Sequence, residues 1–362
     1  MENKRIRDYR IQIGTMDTGP KNSITDINDL RVGHYTLIND ENGCARTGVT
    51  AIIPHSNNMY QNNCAGSIYV HNGYGKAIGL AQVKELGYIE TPIMLTNTLN
   101  VGKVADGLIE YLLKNNPKMK SVNSVVAECN DGKLNEIEKR FITQNHTIKA
   151  INSASTKAVD EGNVGGGTGM VAFGYKGGIG NSSRIINLDG KTYTLGCLVQ
   201  ANFGKRENLV IDGIPVGLLL ENDEKKNNGD GSIVMIIATD APFDNRQLHR
   251  IAKRASMGLA RTGSIASNGS GDFVIAFSTT NINKRENKYE VNKRLMVDDS
   301  ETMYKFFKAA VEATEEAILN ALFAANTMVG RDNTTIEELP IEKVLQIMKE
   351  YKYNFKRWEV NE

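Results

Sequence analysis

Glu221-Asn-Asp-Glu-Lys-Lys-Asn-Asn-Gly-Asp-Gly-Ser-Ile-Val-Met-Ile-Ile-Ala238 joins two opposite kinds of sequence. Residues 221–230 carry no apolar side chain and read as a solvated linker. After Gly231 and Ser232 the chain turns into an unbroken apolar run, the pattern of a strand buried on both faces. A polar loop thus feeds directly into a core strand, with a serine at the strand's first position.

Outward from this junction, Val122–Ala127, Leu198–Ala201 and Phe273–Ser278 read as further short strands. After Pro242, Leu248, Ile251, Ala252, Ala255 and Leu259 recur at helical spacing, opposite Arg246, Arg250, Lys253 and Arg254, and Gly258 and Gly263 lie near the end of the pattern. Met303–Ala325 reads as an Ala-rich amphipathic helix with Val311, Ala317, Ile318, Leu322 and Phe323 on its buried side, and Pro340–Trp358 as a third helix. Strands and helices in mixed order, with short loops and no repeat, predict an α/β or α+β layered domain. Periodicity alone does not choose between them.

The chain has 362 residues, about two domains' worth or one large layered domain. Its 40% hydrophobic and 23% charged residues exclude a disordered chain. Lys and Arg total 43 against 42 Asp and Glu, so no global field draws it to nucleic acid or an anionic membrane. The charged start and the lack of an 18-residue apolar run predict a soluble, cytoplasmic protein without a secretory signal. Cys44, Cys64, Cys129 and Cys197 are too scattered for a Cys-x-x-Cys clip and read as free buried thiols. His34, His55, His71, His146 and His249 form no metal-binding pair, which leaves hydroxyls, carboxylates and amides to carry chemistry.

Glycine is the outlier, with 34 residues densest in Glu161-Gly-Asn-Val-Gly-Gly-Gly-Thr-Gly-Met170 and Gly174–Gly180. Neither stretch has the offsets of a phosphate-cradling loop, so they read as turns or as a backbone-lined substrate pocket. No Gly-x-Ser-x-Gly elbow occurs. From spacing alone, Gly231-Ser232 is an ordinary strand start and Asn268-Gly-Ser-Gly-Asp272 an ordinary turn.

Taken in order, however, a series of segments resembles the L-aminopeptidase/D-esterase and β-peptidyl aminopeptidase family of self-processing N-terminal-nucleophile hydrolases. They are Gly19-Pro-Lys-Asn-Ser-Ile-Thr-Asp26, Val32-Gly-His34, Arg46-Thr-Gly-Val-Thr-Ala-Ile52, Thr91-Pro-Ile-Met-Leu-Thr-Asn-Thr98 and Gly162-Asn-Val-Gly-Gly-Gly-Thr-Gly169. Lys176-Gly-Gly-Ile-Gly180, Gly231-Ser232, Ala238-Thr-Asp-Ala-Pro242, Ala260-Arg-Thr-Gly263 and Ser270-Gly-Asp272 continue the series over nearly the whole chain. Each is weak alone, and their order is specific.

The resemblance implies a four-layer α/β/β/α sandwich, one layered domain over 1–362, cut by its own chemistry between Gly231 and Ser232 into fragments 1–231 and 232–362. Glycine puts no side chain beside the scissile carbonyl, so the Ser232 hydroxyl can drive an amide-to-ester acyl shift. Hydrolysis would free the Ser232 amine, whose unperturbed pKa of about 7.7–8.0 lets it accept a proton near neutrality. The resemblance carries over Ser270 and Asp272 as a relay to that hydroxyl, Asn202 as an oxyanion donor and Glu128 as the carboxylate that binds a substrate's amine. Some members have an aromatic residue close to that glutamate, whereas 128–133 contains none.

The implied activity is removal of an N-terminal residue from short peptides, aminoacyl amides or esters, without metal or organic cofactor, by a homo-oligomer, a tetramer. An acyltransferase of the same superfamily would as a rule use threonine, which Ser232 argues against. A non-catalytic descendant is opposed by the retention of Gly231-Ser232, Ser270, Asp272 and Asn202.

Overall fold

A computed structural model of the chain describes residues 4–220, 231–285 and 289–359, with side chains described up to 352. The polar run 221–230, read above as a linker, lies outside the described residues. In chain order the main strands are β1 (Arg31–Asn39), β2 (Ala45–Ile53), β3 (Asn62–Gly73), β4 (Tyr88–Ile89), β5 (Ile93–Asn97) and β6 (Val125–Cys129). They continue as β7 (Val171–Ala172), β8 (Tyr175–Lys176), β9 (Gly178–Leu188), β10 (Lys191–Asn202), β11 (Ser232–Thr239) and β12 (Gly271–Lys284). The helices are α1 (Leu80–Leu86), α2 (Val101–Asn115), α3 (Gln144–Asn152), α4 (Val216–Leu219), α5 (Asn245–Arg261), α6 (Ser300–Phe323) and α7 (Ile341–Glu359).

Two large sheets result, one ordered β1-β2-β5-β6 and the other β4-β3-β12-β11-β10-β9, while β7 and β8 pair as a separate two-stranded ribbon. Strand β11 lies at the centre of the larger sheet, antiparallel to β10 and parallel to β12. Its alternation sends Val234, Ile236 and Ala238 into the layer between the sheets, beside Leu95, Val125, Leu198 and Phe277. Ile233, Met235 and Ile237 point the other way, into the core shared with Leu248, Ile251 and Phe306 of α5 and α6. Both faces are therefore buried, as the apolar run predicts, and each large side chain contributes about 1.5–3 kcal/mol of burial. Val49, Met94 and Val126 on the outer face of the smaller sheet pack against Val104 and Leu108 of α2 and Ala150 of α3. Helices thus cover both outer faces, giving the four-layer α/β/β/α sandwich.

The helix after Pro242 is α5, closed at its start by a capping box in which Asp244 accepts from the Gln247 N–H at 2.7 Å and Gln247 reaches back to the Asp244 N–H. Gly258 lies inside this helix, where a Cβ would overlap the Val311 carbonyl of α6, so it marks a close helix crossing. Helix α6 differs from the amphipathic reading: from Glu312 to Ala325 every residue is buried, and Val311 is only half-buried. Its carboxylates are accommodated because β9 presents the fully buried Arg184 to Glu312 at 3.2 Å and Glu316 at 2.7 Å, while Arg7 pairs with Glu316 at 2.6 Å. The expected strand Val122–Ala127 begins only at Val125 and runs through Glu128. Asn123 is tied instead to Glu90 through its N–H and to the Gly79 carbonyl through its side chain. Cys44 is half-buried, Cys64, Cys129 and Cys197 are buried, and all four thiols are free.

Candidate functional site

The apolar run places Ser232 as the first residue of a central strand, so its neighbours are set by sheet register. Asn202 of β10 lies opposite it on one side and Gly271 of β12 on the other. The Gly271 N–H donates to the Ser232 hydroxyl oxygen at 3.2 Å. Ser270 and Asp272 flank that glycine, and the Ser270 hydroxyl donates to the Asp272 carboxylate at 2.6 Å. Both are buried, and among the described residues the second Asp272 oxygen has no hydrogen-bond partner within ordinary distance. Burial pushes the Asp272 pKa up, partly offset by the Ser270 hydrogen bond.

Asn202 is fixed at both ends of its amide. Its oxygen accepts from the Val171 N–H at 2.8 Å, and its nitrogen donates to the Asn130 carbonyl at 2.9 Å. Because Val171 needs an acceptor, the amide is held with its nitrogen toward Asn130. The glycine-rich run 162–169 works one step back from the cavity. Gly165–Gly167 form a tight buried turn against β2, after which the chain presents Val171 to Asn202.

Ser232, Asn202 and Glu128 line one cavity of about 300 Å³, together with Tyr74, Lys76 and Thr98. Glu128 is 2% exposed. One of its oxygens accepts from the backbone N–H of Lys76 at 2.9 Å and the other from the Thr98 hydroxyl. Ser270 and Asp272 stand behind this wall rather than in it, and Gly269 is the nearest residue of their loop to reach the cavity. The structure therefore brings the predicted residues Gly231, Ser232, Asn202 and Glu128 to one cavity, with Ser270 and Asp272 attached through Gly271. Among the described residues no group of three or more His, Cys, Asp or Glu could hold a metal ion. Among them also, no helix is long and apolar enough to cross a membrane.

Sequence reasoning missed Tyr74, Lys76, Thr98, Asn130 and Lys133 in the lining. Tyr74 supplies an aromatic ring to the cavity from the loop after β3, far in sequence from 128–133 where an aromatic was sought. Thr98 carried a usable signal, since it ends the quoted stretch Thr91–Thr98.

Residues 22–336 match Peptidase family S58. The chain is 40% identical over 373 aligned positions to the β-peptidyl aminopeptidase BapA of Sphingosinicella microcystinivorans, covering 97% of this chain and 93% of that one. Its fold superposes with a TM-score of 0.92 on the PH0078 protein of Pyrococcus horikoshii OT3, at 48% identity, covering 96% and 99% of the two chains. The L-aminopeptidase D-Ala-esterase/amidase of Ochrobactrum anthropi, described as a prototype of the serine aminopeptidases and a variant of the Ntn hydrolase fold, gives 0.91 at 34% identity over 96% and 99%. With likeness of sequence and fold extending over nearly the whole length, the chain belongs to peptidase family S58, as an aminopeptidase on the Ntn hydrolase fold.

Proposed function

We propose that this aminopeptidase uses Ser232 as its nucleophile, freed as an N-terminal residue when the chain cuts its own Gly231–Ser232 bond. The carrying observation is the register that sets Ser232 between Asn202 and Gly271, at a cavity also lined by Glu128. The freed α-amine takes the hydroxyl proton as Ser232 attacks the substrate carbonyl. The second N–H of the oriented Asn202 amide stabilises the tetrahedral oxyanion, an effect typically of a few kcal/mol. Collapse expels the leaving amine or alcohol, which takes the proton back from the Ser232 α-ammonium, and leaves an acyl-serine that water hydrolyses. Ser270 and Asp272 orient the nucleophile through Gly271, and Glu128 holds the substrate's ammonium group.

Substrates on this reading are short peptides, aminoacyl amides or esters with a free amine. A reducing cytoplasm suits four free thiols, and assembly as a homo-oligomer belongs to the same reading. The test is sulfonylation by a serine-reactive sulfonyl fluoride, with fluoride leaving, followed by peptide mass mapping. A single adduct on an N-terminal Ser232, with loss of aminoacyl p-nitroanilide hydrolysis, is expected. An adduct elsewhere accompanied by loss of activity overturns the assignment.

A further inference from the structure

Lys176 of β8 is fully buried and stands behind the cavity rather than in its lining, yet its ammonium is fully engaged. It donates to three backbone carbonyls, those of Gly177 at 2.7 Å, Met170 at 2.8 Å and Gly167 at 3.2 Å. An ammonium has three hydrogens and no acceptor, so three carbonyls match the charged form. The Met170 carbonyl belongs to the same peptide unit as the Val171 N–H, which holds the Asn202 side-chain oxygen at 2.8 Å. A peptide unit is planar, so whatever fixes its carbonyl also aims its N–H. We infer that Lys176 is a positioning residue for the oxyanion site, acting on the Asn202 amide through the Met170–Val171 peptide.

The inference rests on the reading of Asn202 as the oxyanion donor. One line of hydrogen bonds runs from the ammonium to the Met170–Val171 peptide and on to the Asn202 amide, which lines the cavity. Its first effect is orientation. The Gly177 N–H also donates to the Met170 carbonyl, at 3.0 Å, and the backbone N–H of Lys176 donates to the Glu337 carbonyl at 2.7 Å, so the ribbon that carries the ammonium is itself anchored. The second effect is polarisation: a cation on the carbonyl makes the N–H of that peptide a stronger donor, and through it the Asn202 N–H groups. Burying a charge is unfavourable, and desolvation lowers the Lys176 pKa to about 7, with the charge of the buried Asp131 opposing the shift. A methionine would fill the space of the lysine stem without that penalty, which points to a use for the charge rather than for the volume.

The test is a double-mutant cycle on kcat for a free-amine aminoacyl p-nitroanilide, with Lys176→Met, Asn202→Ala and the two combined, on chains confirmed as cleaved. Lys176→Met should lower kcat by about tenfold to a hundredfold, part of the effect of losing an oxyanion donor, while KM changes by less than about threefold. In the Asn202→Ala background the same substitution should lower kcat by less than about threefold, since the group it acts through is gone. A purely structural lysine would instead lower Tm and take the same factor from both backgrounds. Lys176→Gln, which keeps N–H donors on a similar stem, should retain more of kcat than Lys176→Met, and it replaces that variant in the cycle if Lys176→Met stays uncut or unfolded. If neither gives a folded, cleaved chain, the ammonium serves folding and the inference falls. An unchanged kcat, or equal losses in both backgrounds, overturns the role of Lys176 alone. If Asn202→Ala keeps the wild-type kcat, the oxyanion reading falls and this inference with it.

Discussion

Gly231 and Asn202 meet backbone to backbone: a Cβ on Gly231 would overlap the Asn202 carbonyl oxygen. The residue before the proposed nucleophile is thus held by the strand that also carries the proposed oxyanion donor, and one contact sets both against Ser232. Glycine is needed here for close approach, and on the proposed self-cleavage it also leaves its own carbonyl open to attack.

Gly231→Ala should therefore slow self-cleavage by about tenfold or more, since overpacking of this kind costs about 1–3 kcal/mol. Ser232→Ala, which removes the attacking oxygen, should remain uncut. Intact mass and N-terminal sequencing of fresh and aged protein read both outcomes. Cleavage of Ser232→Ala at the same bond would assign the cut to another protease.

Ser270→Ala and Asp272→Asn should lower kcat far more than they change KM, because alignment of the Ser232 hydroxyl matters in the transition state. Burial raises the Asp272 pKa. If its carboxylate is the working form, activity falls as pH drops through that raised value, placing the acid limb of kcat above the ordinary aspartate range. Asp272→Asn should abolish the limb. Profiles are to be taken on chains confirmed as cleaved, and an unchanged limb in Asp272→Asn removes this residue from the mechanism.

Much of this arrangement is legible in one dimension. The run Ile233–Ala238 announces a strand buried on both faces, and the order of weak segments from Gly19 to Asp272 points to the family. What sequence conceals is set by three-dimensional neighbours. Tyr74 and Lys76 reach the cavity only because β3 pairs with β12 on the far side of β11. The all-round burial of α6 from Glu312 onward depends on Arg184, 128 positions from Glu312, and no periodicity rule gives three glutamates a buried face. Single-strand edges shift for the same reason, as at Asn123, whose polar groups find partners outside the sheet.

Arg184 supplies a stability test. With its side chain fully buried between Glu312 and Glu316, Arg184→Met leaves charges that Arg7 and Asn22 only partly satisfy. A loss of about 3–5 kcal/mol in urea unfolding is expected. Converting Glu312 and Glu316 to glutamine as well should recover much of it. No recovery would mean that the packing of Arg184, rather than its charge, is what matters.

His34 gives a pH test with a definite sign. It lies on β1 with one ring nitrogen 2.9 Å from the Thr50 hydroxyl. Burial, partly offset by a backbone contact at Asp160, lowers its pKa from 6.5 to about 4. Between these values the unfolded chain binds a proton that the native chain does not, so stability falls as pH drops through the window. Calorimetry should show Tm falling more steeply in the wild type than in His34→Gln, and parallel profiles would refute the assignment.

The sharpest test of substrate recognition falls on Glu128. The Lys76 N–H and the Thr98 hydroxyl fix its two oxygens, yet each retains acceptor capacity toward the cavity. A substrate ammonium there gains charge-assisted hydrogen bonds worth about 1.5–3 kcal/mol. Glu128→Gln keeps the shape, since the Thr98 hydroxyl can turn to accept from the new amide, but it loses the charge. We expect kcat/KM for a free-amine aminoacyl p-nitroanilide to drop by about one to two orders of magnitude. N-acetylation of the substrate removes the same charge and adds bulk in a closed corner, so it should abolish turnover by the wild type. If the acetylated compound is hydrolysed as well as the free amine, or if Glu128→Gln behaves as wild type, the cavity does not read the amine through this carboxylate.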